Sequence, residues 1–94
     1  MKDIKFISQT LRGLAHGQRL MIMRTINKSP SGELCVGSIY KQLKMEQSVC
    51  SQQLAKLFKA GLVTKERRGK QIFYRCNIQG LQTELKKVTE MLGI

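Results

Sequence analysis

Two stretches of this chain carry side chains whose types suit a polyanionic partner. In the first, Gln47, Ser48, Ser51, Gln52, Lys56 and Lys59 recur at helical spacing opposite Cys50, Leu54, Leu57 and Phe58, so a helix here is polar on one side and apolar on the other. Amides and hydroxyls can hydrogen-bond base edges, glutamine fits adenine, and lysines supply phosphate contacts. In the second, Lys65, Arg67, Arg68, Lys70 and Arg75 lie within eleven residues with Glu66 alone opposing them, and Gln71 follows Lys70 directly. A basic tip of this kind can enter a minor groove or clamp flanking phosphates. Each stretch also has a plainer reading. Any solvated helix face carries Gln, Ser and Lys, and charged side chains protect an exposed hairpin from edge-to-edge association. The two stretches adjoin one another in a strongly basic chain, which favours the nucleic-acid reading.

The charge balance points the same way. Seventeen Lys and Arg against six Asp and Glu give a formal +11 in 94 residues, so nucleic acid leads as partner and an anionic membrane follows. Hydrophobic residues at 41% and charged residues at 24% are ordinary for a globular chain, and the length suits one domain, residues 1–94. Catalysis has no evident residues. There is no glycine-rich phosphate loop and no nucleophile elbow; His16 is the one histidine, and Asp3, Glu33, Glu46, Glu66, Glu84 and Glu90 form no spaced pair. No cofactor is expected. The apolar run Leu20-Met21-Ile22-Met23 is bounded by Arg19 and Arg24, far short of the roughly 20 residues of a membrane span. No helix joins a basic face to Trp and Phe anchors, which places a membrane-surface role third. Met1-Lys2-Asp3-Ile4-Lys5 lacks a secretory pattern, so a cytoplasmic location is expected, with Cys35, Cys50 and Cys76 reduced.

These side chains need elements to hold them. Ile4, Ile7, Leu11 and Leu14 predict a short opening helix that Gly13 and Gly17 help to end. Leu20, Met21, Met23 and Ile26 continue a second helix from about His16 to the turn Ser29-Pro30-Ser31-Gly32, and this helix should centre the core. Leu34, Val36, Ile39, Tyr40 and Leu43 predict a third helix of about ten residues, then a break at Lys44-Met45-Glu46 and the polar-faced fourth helix, capped by Gly61. Leu62 to Arg68 and Gln71 to Cys76 read as a hairpin about Gly69-Lys70. Leu81, Leu85, Val88 and Leu92 predict a last helix whose apolar stripe exceeds what so small a core covers, which points to a dimer. The expected fold is mainly α with a β-hairpin, an α+β winged helix-turn-helix ordered as four helices, two strands and a fifth helix.

The run from Gln47 to Val63, followed by Arg67-Arg68-Gly69-Lys70-Gln71-Ile72-Phe73-Tyr74-Arg75, resembles the recognition helix and wing of ArsR/SmtB-type bacterial transcriptional repressors. Leu14-Ala15-His16-Gly17-Gln18-Arg19-Leu20 is similar to their LADPTRL signature, with Gly17 in place of the usual proline. The resemblance spans roughly residues 8 to 92 and implies a homodimer paired through its first and last helices, bound to double-stranded operator DNA, usually palindromic, until an inducer weakens the complex. By position it implies base-facing roles for Ser48, Ser51 and Gln52, basic wing-tip roles for Arg68 and Lys70, and packing roles for Gln53 and Leu54. Cys50 then stands where the family buries Val or Ile.

The inducer is where this chain departs from that family. Metal-sensing relatives carry ELCVC, whereas Glu33-Leu34-Cys35-Val36-Gly37 lacks the second thiolate, and zinc, cadmium or lead needs three or four ligands. The last helix lacks the acid and histidine set of zinc sensors, and His16 has no second histidine to work with, so no metal site is expected. The dithiol pair of redox-sensing relatives is absent too: Arg24 occupies the region of the first cysteine, and the chain closes Met91-Leu92-Gly93-Ile94. Cys35, near a helix start that favours thiolate, is left as a candidate thiol switch, with Cys76 as its possible companion. A winged helix used as a protein-interaction module or a sequence-indifferent nucleic-acid binder stands as the alternative function.

Overall fold

Apolar spacing along the second predicted helix decides where the core lies. Helix α1 (Gly17–Lys28) turns Ile22, Met23 and Ile26 inward, and Ile22 and Ile26 are fully buried. The chain continues through β1 (Glu33–Cys35), α2 (Val36–Leu43), α3 (Gln47–Lys59), β2 (Val63–Arg68), β3 (Gln71–Cys76) and α4 (Ile78–Met91). The structure, a computed structural model, describes residues 5, 8, 11, 12 and 16–93. Of the predicted opening helix, Ile4, Ile7, Gly13 and Leu14 lie outside the described residues, while Lys5, Ser8, Leu11 and Arg12 are helical and Leu11 is exposed. Gly17 opens α1 instead of ending the helix before it, with exposed His16 as N-cap.

Ile39 of α2, Cys50, Leu54 and Leu57 of α3, and Leu62 and Val63 at the start of the hairpin complete the core around α1. Leu20 and Met21, expected inside, are half exposed, because only the Ile22–Ile26 face of α1 meets α2, α3 and β3. Phe58 is a second correction. Leu54 and Leu57 fill the inward positions, and Phe58, one step further round the helix, emerges 44% exposed with Lys65 Nζ 4.3 Å from its ring centroid.

The predicted hairpin about Gly69-Lys70 forms, with Val63 opposite Cys76 and Arg68 opposite Gln71, closed by that two-residue loop. Gly69 at φ +63° supplies the left-handed first loop residue that such a tight hairpin demands. The sequence reading missed a third strand. Leu34 was expected to begin a helix, but β1 pairs antiparallel with β3, Glu33 opposite Arg75 and Cys35 opposite Phe73, giving the sheet order β1-β3-β2. The turn before it, with Gly32 at φ +74°, sends the chain back along β3, where the sheet edge supplies hydrogen-bond partners to the backbone of these residues. Helix α4, capped by Asn77 Oδ1 accepting from the Gly80 N–H at 3.1 Å, contains no buried residue. Its Leu81 and Val88 are half-buried, and Leu85, Met91 and the adjoining Leu92 are exposed.

Candidate nucleic-acid interface

Helix α3 separates its side chains as a 3.6-residue period requires. Cys50, Gln53, Leu54 and Leu57 face inward; Gln47, Ser48, Ser51, Gln52, Lys56 and Lys59 are exposed. None of the side chains of Gln47, Ser48, Ser51, Gln52 and Lys56 bonds to another described residue, so their donors and acceptors are free for a partner. One inward residue is polar. Gln53 is buried, its Oε1 accepts from Arg19 Nε at 2.8 Å, and its Nε2 faces Gln18 Oε1 at 3.4 Å. The same guanidinium donates from Nη1 to the Arg12 carbonyl at 2.8 Å. Arg19 therefore fixes the roll of α3 against α1 by a directional bond, where apolar packing alone would leave it looser.

The wing is organised differently. Arg68, placed with the wing-tip cations by the sequence, is held within the fold: Nη1 and Nη2 donate to Glu33 Oε1 and Oε2 at 2.6 and 2.9 Å, and Nη2 also reaches Glu66 Oε2 at 2.9 Å. Its guanidinium lies 4.8 Å from the Phe73 ring centroid. Arg75 Nη2 stands 3.5 Å from Glu33 Oε2, the oxygen that also accepts from Arg68 Nη2. Glu33 comes from β1, the strand the sequence reading missed, so Glu66 is not the only acid opposing the basic run. The Arg68 hydrogen bonds, with Arg75 adding to them, hold the Glu33 carboxyl below the usual carboxylate range, and the same contacts push the Arg68 guanidinium up. Arg67 Nε donates to the Gly69 carbonyl at 3.2 Å. Lys70 and Gln71 are exposed, with no side-chain partner among the described residues.

Between the first turns of α3 and the wing tip runs an open cleft of about 350 Å³, lined by Gln47 and Ser51 on one side, Lys70 and Gln71 on the other, with Cys35 and Tyr40 among the residues between. Two elements expected to act together thus share one concave surface. Cys35 is the N-cap of α2, half-buried; its Sγ lies 3.4 Å from Ser38 Oγ, and hydrogen bonding from Ser38 lowers the thiol pKa. Cys50 and Cys76 are buried, and burial pushes both thiols up. A Cys35–Cys76 disulfide does not fit this backbone. Cys35 pairs with Phe73, three residues from Cys76, a separation of about 10 Å along the strand. Cys76 Sγ instead donates to the Met23 carbonyl at 3.2 Å. Among the described residues no three His, Cys, Asp or Glu side chains gather into a metal-binding group.

A helix, a tight turn, a second helix with an unpartnered polar face and an adjoining three-stranded wing define the winged helix-turn-helix class. Residues 16–65, more than half of the chain, match the family described as bacterial regulatory protein, arsR family, and the chain belongs to that family. It is 45% identical over 65 residues to the biofilm growth-associated repressor of Agrobacterium fabrum, covering 69% of this chain and 53% of that protein. The crystal structure of the transcriptional repressor BigR from Xylella fastidiosa is similar at a TM-score of 0.70 and 32% identity, over 96% of this chain and 89% of that one. The solution structure of a homodimeric winged helix-turn-helix DNA-binding domain from Mycobacterium bovis is similar at 0.75 and 26% identity, over 93% and 81%. The chain spans 53–58% of the length of the curated biofilm repressors it matches.

Proposed function

We propose that this protein is a homodimeric, sequence-specific repressor that binds a palindromic site in double-stranded DNA, acts in the cytoplasm, and is released by an effector. The observation that carries the reading is the face of α3: five polar side chains, all exposed and all without a partner among the described residues, beside a basic wing across a shared cleft. Gln47, Ser48, Ser51 and Gln52 read base edges in the major groove, and Lys56 meets phosphate. Lys70 and Arg67, with Gln71, hold the flanking backbone. The uncovered apolar residues of α4 pair with those of a second copy, as the homodimeric Mycobacterium bovis domain suggests, and the twofold axis repeats the half-site. The repressor sense rests on the names of the relatives.

The test is a fluorescence-anisotropy titration of reduced protein against the duplex upstream of its own gene and a scrambled duplex, at two salt concentrations. Specific binders typically prefer their site by about 10³-fold or more. Salt-sensitive binding without preference would favour a sequence-indifferent module, and no duplex binding would favour a protein partner.

A second reading concerns release. Cys35 lines the cleft between α3 and the wing, so a group attached to its sulfur would stand where the duplex must enter. Alkylation by iodoacetamide, in which the thiolate displaces iodide, should abolish operator binding by the wild type and spare Cys35→Ser. Equal sensitivity of the two proteins would exclude Cys35 as the trigger.

A further inference from the structure

Both helices of the helix-turn-helix end on the same backbone cap. After α3, Leu62 N–H donates to the Leu57 carbonyl at 3.0 Å and Gly61 N–H to Phe58 at 3.0 Å, with Gly61 at φ +76°. After α2, Met45 N–H donates to the Tyr40 carbonyl at 2.9 Å and Lys44 N–H to Lys41 at 3.3 Å, with Lys44 at φ 53°, ψ 41°. This double bond pattern places its penultimate residue in the left-handed region, where a Cβ is disfavoured and glycine is usual. Gly32, Gly61, Gly69 and Gly93 meet that demand elsewhere; Lys44 is the non-glycine residue at positive φ among those described.

The cap hydrogen bonds hold the backbone of Lys44 in this conformation, but among the described residues its side chain has no contact that requires a lysine there. Lys44 is exposed, and its ammonium has no acceptor among the described residues. It stands three residues before Gln47, in the turn that leads into α3, with exposed Lys41 two residues before Leu43, the last residue of α2. Non-glycine residues held in the left-handed region gather at functional positions.

We infer that Lys44 is a phosphate contact: its ammonium meets the DNA backbone at the edge of the groove that α3 enters, and this contact keeps lysine in a position suited to glycine. The inference rests on the DNA-reading role of α3 proposed above. It adds a third anchoring element, the helix-turn-helix turn itself, to the reading helix and the wing.

Thermal unfolding and duplex titration of the intact protein separate the two demands on this position. Lys44→Gly relieves the backbone and should raise Tm by roughly 2–5 °C. The same variant should bind both a site-bearing and a random-sequence duplex several-fold more weakly, with the salt dependence shallower by about one unit. Lys44→Gln, which keeps the Cβ and loses the charge, should show the same binding loss without the gain in Tm, and Lys44→Arg should bind as wild type. Wild-type affinity and salt slope in Lys44→Gly and Lys44→Gln would overturn the inference while leaving DNA binding intact. A loss confined to the site-bearing duplex would also overturn it, since phosphate contacts are blind to sequence. Wild-type protein that binds neither duplex would bring down the DNA-reading role, and this inference with it.

Discussion

Helix α3 and the wing both present polar side chains to solvent, but α3 keeps its exposed amides and hydroxyls free, whereas the wing ties up its arginines and leaves Lys70 and Gln71 free among the described residues. On α3, Gln47, Ser48, Ser51, Gln52 and Lys56 bond to nothing else described. On the wing, Arg68 is held by Glu33 and Glu66, Arg75 faces Glu33, and Arg67 turns back to Gly69. A free amide can take whichever base edge matches it, whereas an arginine paired with two carboxylates has fewer donors left and part of its charge already balanced. Under the proposed function, sequence reading falls to α3, and shape and anchoring to the wing. Within the wing the phosphate contacts shift from Arg68 toward Lys70 and Arg67.

The largest effect should come from the reading face. Gln52→Ala should cost about 1–3 kcal/mol on the operator and leave a scrambled duplex unaffected, as read from paired anisotropy titrations. Next comes the inner face of the same helix. Gln53→Ala removes the acceptor of the Arg19 bond and should lower unfolding stability by about 1–2 kcal/mol in urea titrations. A further readout separates this role from plain packing: operator affinity should fall more than scrambled affinity, because α3 loses its fixed roll.

On the wing, Lys70→Ala should weaken all duplexes alike and make the salt dependence shallower by about one unit. Arg68→Ala should change that slope less, because its guanidinium is already paired; a full unit of change would show that Arg68 leaves Glu33 for phosphate. The smallest effect is acid dependence. The Glu33 carboxyl is lowered in the fold, so its stabilisation is complete above its unfolded pKa, about 4.3, and is lost as pH falls through the lower folded value. Wild type and Glu33→Gln should therefore differ in stability at neutral pH and converge in strong acid.

What the sequence displayed depended on how long each pattern ran. The thirteen residues of α3 repeat their apolar spacing often enough to separate the two faces, and only Phe58, at the end where Leu54 and Leu57 already fill the interior, falls on the wrong side. Strand β1 is three residues long and sits between a turn and a helix, too short for any period to appear. With it was hidden Glu33, which meets Arg68 across 35 positions of sequence only because β1 lies on β3. Gly69-Lys70 announced the hairpin through its glycine, while the equally left-handed Lys44 gave no such sign.

The division between reading and anchoring is tested most directly by the ratio of operator to scrambled affinity, measured across salt concentrations for wild type, Gln52→Ala and Lys70→Ala. The account predicts that Gln52→Ala lowers the ratio at an unchanged salt slope, and that Lys70→Ala keeps the ratio and flattens the slope. Two variants that lower ratio and slope together would contradict it, since helix and wing would then be reading and anchoring alike.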